Sequence, residues 1–345
     1  MSKILYAFLV LLLVVTFVSA VVFLAPVDPA QLTFGQRSDV ATVEARKAEL
    51  GLGESLPVQL WRYWQDLAPI SVLTDTPAAR RRYTFLPLYR IGDNRVLVLK
   101  MPYLRESYQS GRPVTEILSD AIPATAVLAG ASFLFALILG LFLGSLAAWR
   151  PNSLLDHALV SVSVLGFSVP SYVIALLLSL WLAYAWGDWT GLPLQGPLFV
   201  LDDYGEWAFR WKNLVLPALA LGIRPVALFT QITRSALLDV LGSEYIRTAV
   251  AKGMPYSRVW WRHALPNALV PIVTVATGWL GSLLGGAFFV ENVFAFKGLG
   301  EVTVSALKAF DLPVVLGCLL FTASVFVALN LVTDALYRWV DPRIR

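Results

Sequence analysis

Residues 121–149 read AIPATAVLAGASFLFALILGLFLGSLAAW, and from Ala121 to Trp149 the chain carries no charged side chain. At 1.5 Å per residue, a helix of this length exceeds the ~30 Å of a bilayer's hydrocarbon core. A helix satisfies its own backbone, so the stretch reads as a membrane span. Five further candidates lie outward from it: Ile4–Ala25, Ala158–Gly187, Asn213–Thr233, Ala264–Val290 and Leu312–Thr333. Only the fourth of the six, counted along the chain, contains a charge, Arg224. Ile4–Ala25 is too long for the ~7–15-residue apolar core of a secretory signal and is read as a span.

Composition agrees with this reading. The chain of 345 residues is 57% hydrophobic and 14% charged, with mean hydropathy +0.68, against about 25% charge in soluble domains. The net charge of +4 comes from scattered cations with no basic, aromatic-interleaved stripe, which argues against nucleic-acid binding. One cysteine, Cys318, permits no intrachain disulfide, and His157 and His263 alone predict no metal site.

Six crossings put both termini on one side. With the N-terminus inside, the short inner segments hold Lys3, Arg150, Arg234, Arg247, Lys252, Arg258, Arg262, Arg338, Arg343 and Arg345. The short outer loops hold only Arg210, Lys212, Lys297 and Lys308, so both termini are predicted cytoplasmic. Gly140 with Gly144, and Gly281 with Gly285, have the spacing of close helix packing, and Pro170 predicts a kink in the third span. Trp149, Trp186, Trp189 and Trp211 fall near span ends and read as interfacial anchors. Arg224 reads as lining a path through the spans where it could attract a carboxylate, as a structural partner of a carboxylate or of helix carbonyls, or as a residue near the interface if the span boundary differs.

Residues 26–120 carry eleven acidic and twelve basic residues. Val40–Leu50, stopped by Gly51, and Pro57–Leu67, with Trp61, Trp64 and Leu67 on one face, read as helices. The runs flanking Gly92-Asp93-Asn94 predict a hairpin between Tyr83 and Lys100.

The inner loop at residues 234–266 is cationic and built as helix, turn, helix. Ser243 suits an N-cap with Glu244 in the opening turn, Gly253 suits a left-handed C-terminal position, and Pro255 suits the first position of the next helix. Leu238, Leu241, Tyr245, Thr248 and Ala249 recur every three or four residues. That stripe can seat a partner, or can pack on the protein's own helices or lie on lipid.

Ala249, the three residues before Gly253, and the nine between Gly253 and His263-Ala264-Leu265-Pro266 match the spacing of the EAA signature of permeases in binding-protein-dependent ABC importers. Arg247 and Thr248 occupy the first two signature positions. Together with Glu244-Tyr245-Ile246 and Ala251-Lys252-Gly253, the loop resembles the dipeptide, oligopeptide and nickel branch. Ala25-Pro26-Val27-Asp28-Pro29, Ala48-Glu49-Leu50-Gly51-Leu52, Gly111-Arg112-Pro113-Val114, Ile122-Pro123-Ala124-Thr125, Glu291, Phe294, Gly298-Leu299-Gly300, Asp311, Pro313 and Asp341-Pro342-Arg343-Ile344-Arg345 extend the likeness to the B-type subunit. Lys297 departs from it, standing where the family usually has proline, and residues 71–105 look longer than the usual loop.

The resemblance implies an all-α integral membrane protein. It would have six transmembrane helices of the type I ABC importer permease fold and an extracytoplasmic α+β insertion after the first helix. The expected division is 1–25 for the first transmembrane helix and 26–120 for the extracytoplasmic segment. A five-helix permease core follows at 121–337, including the coupling loop 234–266, and then a cytoplasmic tail at 338–345.

It further implies ATPase coupling through Glu244, Arg247, Thr248, Ala249, Gly253, Leu265 and Pro266. The implied partners are a paralogous second permease, two cytoplasmic ATPase subunits and an extracytoplasmic solute-binding protein in a bacterial or archaeal cytoplasmic membrane. The chain has no Gly-x-x-x-x-Gly-Lys-Ser/Thr loop, so ATP would be used by the partners, with no cofactor, metal or catalytic residue expected here. Peptides are the expected substrate, with nickel chelates, glutathione or oligosaccharides as alternatives. An ion-coupled secondary transporter is the rival class; it predicts intramembrane carboxylates and inverted repeats, and neither is visible.

Overall fold

A computed structural model describes residues 2–24, 54–92, 94–201 and 204–340. The readings placed on Ala25–Pro29, Val40–Leu52, Asp93 and the tail at 341–345 lie outside the described residues. The chain divides into two compact units, Met1–Asp120 with Val302–Ala323, and Ala121–Glu301 with Ser324–Arg345.

In the first unit, α1 (Ser2–Leu24) is followed by α2 (Leu56–Leu67), where a proline in the first turn supplies a preset φ. The buried side of α2 is Tyr63, Asp66 and Leu67, whereas Trp61 is exposed. Of the expected face, Leu67 is buried and Trp64 packs in the same cluster, while Trp61 is turned out because Asp66 goes inward to meet its partners. Next come β1 (Ile70–Thr74), α3 (Pro77–Arg82), β2 (Phe85–Ile91) and β3 (Arg95–Lys100). They form an antiparallel sheet in the order β1-β3-β2. The hairpin predicted around Gly92 joins β2 to β3, with Gly92 at φ +71°. Strand β1 had no clear alternation and was not anticipated.

Asp66 organises this unit. Its carboxylate accepts from the Tyr83 hydroxyl at 2.7 Å and from Arg105 Nε at 2.9 Å, while its carbonyl accepts from Lys100 Nζ at 2.5 Å. The Lys100 ammonium lies 4.6 Å from the centroid of the Tyr83 ring, and Arg105 lies 5.2 Å from that of Tyr63. Burial pushes the Lys100 ammonium below its ordinary value and the Tyr83 phenol above its own. Asp311, from the later part of the unit, accepts from the Ser107 hydroxyl and from Tyr108 N–H at 2.9 Å, fixing the loop ahead of the next helix.

That helix, α4 (Val114–Trp149), runs unbroken through the stretch of highest apolarity. Within the second unit follow α5 (Leu154–Ser168), α6 (Ser171–Leu178) and a π-helical turn, Ser179–Ala185. The axes before and after Val169-Pro170 differ by 102°, so the expected kink is a full break. Proline lacks an N–H and drives the residue before it out of the helical region, and Val169 sits at ψ 131°.

A short α7 (Gly187–Thr190) and the hairpin β4 (Phe199–Leu201) and β5 (Trp207–Phe209) lead to α8 (Lys212–Leu241). The glycine pair of α4 lets it meet α8 closely: a Cβ at Gly144 would stand 2.5 Å from the Thr230 carbonyl and 2.6 Å from Thr233 Cβ. The chain then forms α9 (Glu244–Ala251), α10 (Tyr256–Val259), a second π-turn (Trp260–Ala264), α11 (Leu265–Phe294), α12 (Leu299–Lys308) and α13 (Leu312–Val340). Residues 234–241, expected in the inner loop, continue α8.

Among the described residues, four helices are long and apolar enough to cross a membrane: Val114–Trp149, Lys212–Leu241, Tyr256–Leu283 and Leu312–Ala335. The bent pair Leu154–Ser168 with Ser171–Ala185 makes a fifth if it is one span.

Replacing the buried Asp66 by Ala leaves Arg105 and the half-buried Tyr83 hydroxyl without their acceptor. Loss of a buried partner of this kind costs about 3 kcal/mol. Thermal unfolding of the purified protein is expected at lower temperature for Asp66→Ala, with a smaller shift for the exposed Arg80→Ala.

Candidate coupling site and a buried carboxylate lock

The end of α8 turns sharply into α9. Gly242 N–H donates to Leu238 O and Ser243 N–H to Val240 O, both at 3.0 Å. Ser243 occupies the N-cap position as predicted, but its hydroxyl donates back to Val240 O, and α9 is capped without it. Arg247 pairs with Glu244 at 2.8 Å and the Thr248 hydroxyl donates to Glu244 O at 2.9 Å, both on the exposed side. Gly253 closes the helix at φ +77°. That is the left-handed region expected of it, where a Cβ costs about 1 kcal/mol or more. Pro255 stands at the cap of α10, one residue ahead of its predicted place.

The base is packed and the tip is bare. Ile246 is the buried residue of α9, and Val259 and Trp260 are buried beside the start of the next segment. Trp260 joins Ala236, Leu237, Ala264 and Ala268 in one apolar cluster, with Leu238, Leu241 and Leu265 packed against it. Trp149 meets Trp260 edge-on at 4.9 Å and Tyr256 at 5.2 Å. The predicted stripe therefore splits: Leu238 and Leu241 belong to the base, while Tyr245 and Thr248 are exposed and Ala249 is half-buried. Among the expected coupling residues, Glu244, Arg247, Thr248, Gly253 and Pro266 are exposed together, and Leu265 serves the base. Ile246, Trp149, Tyr256 and Trp260 were missed. Their signal was an apolar position out of phase with the stripe and a cluster of aromatics, of which Trp149 alone was read, as an interfacial anchor.

Arg224 is half-buried on α8. Its Nε donates to Phe167 O at 3.4 Å, and its guanidinium lies 5.2 Å from the centroid of the Phe167 ring. Of the partners considered for it, a helix carbonyl is the one present.

At the far end of α11, Glu291 is fully buried. One carboxylate oxygen accepts from the Thr125 hydroxyl at 2.7 Å; the other accepts from Gly300 N–H at 2.7 Å and Glu301 N–H at 3.3 Å. Thr125 in turn accepts from Leu299 N–H at 2.8 Å. The carboxylate thus caps the N-terminus of α12, where free amides and the helix dipole favour negative charge. A Cβ at Gly298 would stand 2.5 Å from Thr125 Oγ1, which explains that glycine. Lys297 adopts φ +55°, a conformation closed to proline.

Residues 140–345 match the family described as binding-protein-dependent transport system inner membrane component, and residues 1–79 match its N-terminal companion. The chain belongs to this family. It is 32% identical to the dipeptide transport system permease protein DppB of Alkalihalophilus pseudofirmus over 346 residues, covering 96% of this chain and 94% of that protein. It is 38% identical to the DppB of Haemophilus influenzae over 256 residues, covering 69% of this chain and 76% of that protein. A solved chain of the inward-facing MetNI methionine ABC transporter superimposes with TM-score 0.51 at 17% identity, covering 66% of this chain and 98% of that one. The fold is that of type I ABC importer permeases. The family is a transport component rather than an enzyme, it works with ATPase and binding-protein partners, and the ion-coupled secondary transporter is not favoured.

Gly298→Ala forces Thr125 and Glu291 apart from the α12 amides. Overpacking of this sort costs about 1–3 kcal/mol. Protease protection of the 292–301 segment in membrane vesicles is expected to fall for Gly298→Ala, and not for Gly278→Ala, whose Cβ meets nothing within 4 Å.

Proposed function

We propose that this permease moves di- or oligopeptides inward by alternating access, and that helix α9 is the surface through which separate ATPase subunits drive it. The observation that carries this reading is the contrast within residues 244–266. Ile246, Trp260 and Leu265 anchor the loop, while Glu244, Tyr245, Arg247, Thr248 and Gly253 are left exposed on a short, closed helix. A helix anchored at its base and bare at its tip transmits a push without losing it to local unfolding. Small side chains at Ala249 and Gly253 let a partner surface come close. Peptide as substrate rests on the names of the relatives, which are dipeptide permeases.

In this reading the chain crosses the membrane six times with both termini cytoplasmic. It pairs with a paralogous permease and sits on two ATPase subunits that bind the ATP, with no cofactor bound by this chain. The sheet region at 70–100 lies outside the membrane, where it would receive the solute-binding protein. Gly253→Arg is expected to insert normally, to lose co-purifying ATPase, and to abolish uptake. Gly253→Asn, which tolerates the left-handed backbone, is expected to retain both. Normal uptake by Gly253→Arg would overturn the assignment.

Arg224 enters as a substrate-path candidate. Its Nε is committed to Phe167 O, which leaves the terminal nitrogens to attract a peptide carboxylate. Uptake by Arg224→Gln is expected to show a raised KM for peptides with a free C-terminal carboxylate and a smaller change for amidated ones. Equal effects on both would remove it from the path.

A further inference from the structure

The first turn of α5 holds Asp156, whose side chain is 1% exposed. Arg234 of α8 grips it with both arms of its fork, Nε to Oδ1 at 2.5 Å and Nη2 to Oδ2 at 2.7 Å. Asp156 also accepts from Asn152 N–H at 2.9 Å, and its own N–H donates to the Ser153 hydroxyl at 3.2 Å, so the carboxylate is fixed at the cap of α5. A buried, bidentate pair is directional and breaks at high cost. At the opposite end of α5, Arg224 of the same helix α8 holds Phe167 O.

The two grips match in length. Arg224 and Arg234 are ten residues apart on α8, and Asp156 and Phe167 eleven apart on α5, about 15 Å and 16 Å along the two axes. Beside the Arg224 grip, Ile223 Cγ2 lies at contact distance from the Cβ position of Gly166. Immediately past the outer grip the chain breaks at Val169-Pro170 and turns by 102°. Immediately past the inner grip, after two further turns of α8, comes the bend at Gly242-Ser243 that leads into α9.

We infer that Asp156 and Arg234 are positioning residues of the transport cycle: their ion pair makes the half-span α5 follow α8 as one body, so that a displacement of α9 is delivered to the break at Val169-Pro170. Without the pair, α8 slides along an apolar neighbour and the stroke is lost before it reaches that break. This inference rests on α9 being the ATPase contact.

The test uses the complete complex, with ATPases and binding protein, in proteoliposomes. It compares Arg234→Gln, Arg234→Lys, Asp156→Asn and the exchanged double variant Asp156→Arg/Arg234→Asp. Each is measured for co-purifying ATPase, for ATP hydrolysis stimulated by the binding protein, and for peptide moved per ATP. The single variants are expected to keep their ATPase and at least about half of the hydrolysis, while peptide moved per ATP falls roughly tenfold. Arg234→Lys, which keeps the charge but loses the fork, is expected to fall several-fold, and the exchanged pair to recover most of the loss.

Unchanged transport per ATP in Arg234→Lys or Arg234→Gln overturns the inference. So does failure of every variant, the exchanged pair included, to assemble, since the pair is then a folding contact only. Loss of ATPase binding by Gly253→Arg alongside intact binding by the Arg234 variants separates this result from a failure of the α9 assignment.

Discussion

Hydrocarbon offers a backbone no hydrogen-bond partner, and the architecture follows from that constraint. Wherever a helix ends or breaks out of easy reach of water, another part of the chain must take up the freed groups. Three side chains do so. Arg224 holds Phe167 O where Pro170 ends α5, Asp156 takes the Asn152 amide where α5 begins, and Glu291 takes the amides where α12 begins. The charges named here thus serve helix ends, Arg224 and Arg234 reaching them from within α8, while small residues and apolar packing fill much of the helix middles.

That distribution separates two mechanical zones. The later part of α4 meets α8 through Gly140 and Gly144 at distances that admit no further carbon, which makes the contact steric and unyielding. Around the break of α5 and α6 and the bend at Gly242-Ser243, no such close packing of glycines is found among the described residues; there the fold is held by directional polar bonds. A transporter that must alternate between two arrangements needs both kinds of contact, because bodies that move must stay rigid while the joints between them change.

Apolarity was legible as long helices at four of the six candidate spans, since a charge-free run has few stable states other than a buried helix. The turn at Gly253 was equally legible, because a left-handed residue closing a helix is a local demand on one side chain. The face of α2 was legible only in part: Leu67 and Trp64 pack inward as expected, but Trp61 is exposed and Asp66 turns inward because Tyr83, Arg82 and Arg105, distant in sequence, supply its bonds. The split of the 238–249 stripe was hidden for a related reason. Periodicity marks which residues share a face, but the end of α8 rotates that face between Leu241 and Tyr245.

By itself, then, the chain's order of residues determined a polytopic helical protein, the helix at 244–251 and the turn at Gly253 that closes it, since these depend on local preference and on solvent. Only the tertiary structure decided that Pro170 breaks rather than bends its span, that Arg234 meets Asp156, and that Glu291 caps α12. Each of these joins groups far apart along the chain, and whether a buried charge is tolerated depends on a partner that no local pattern announces.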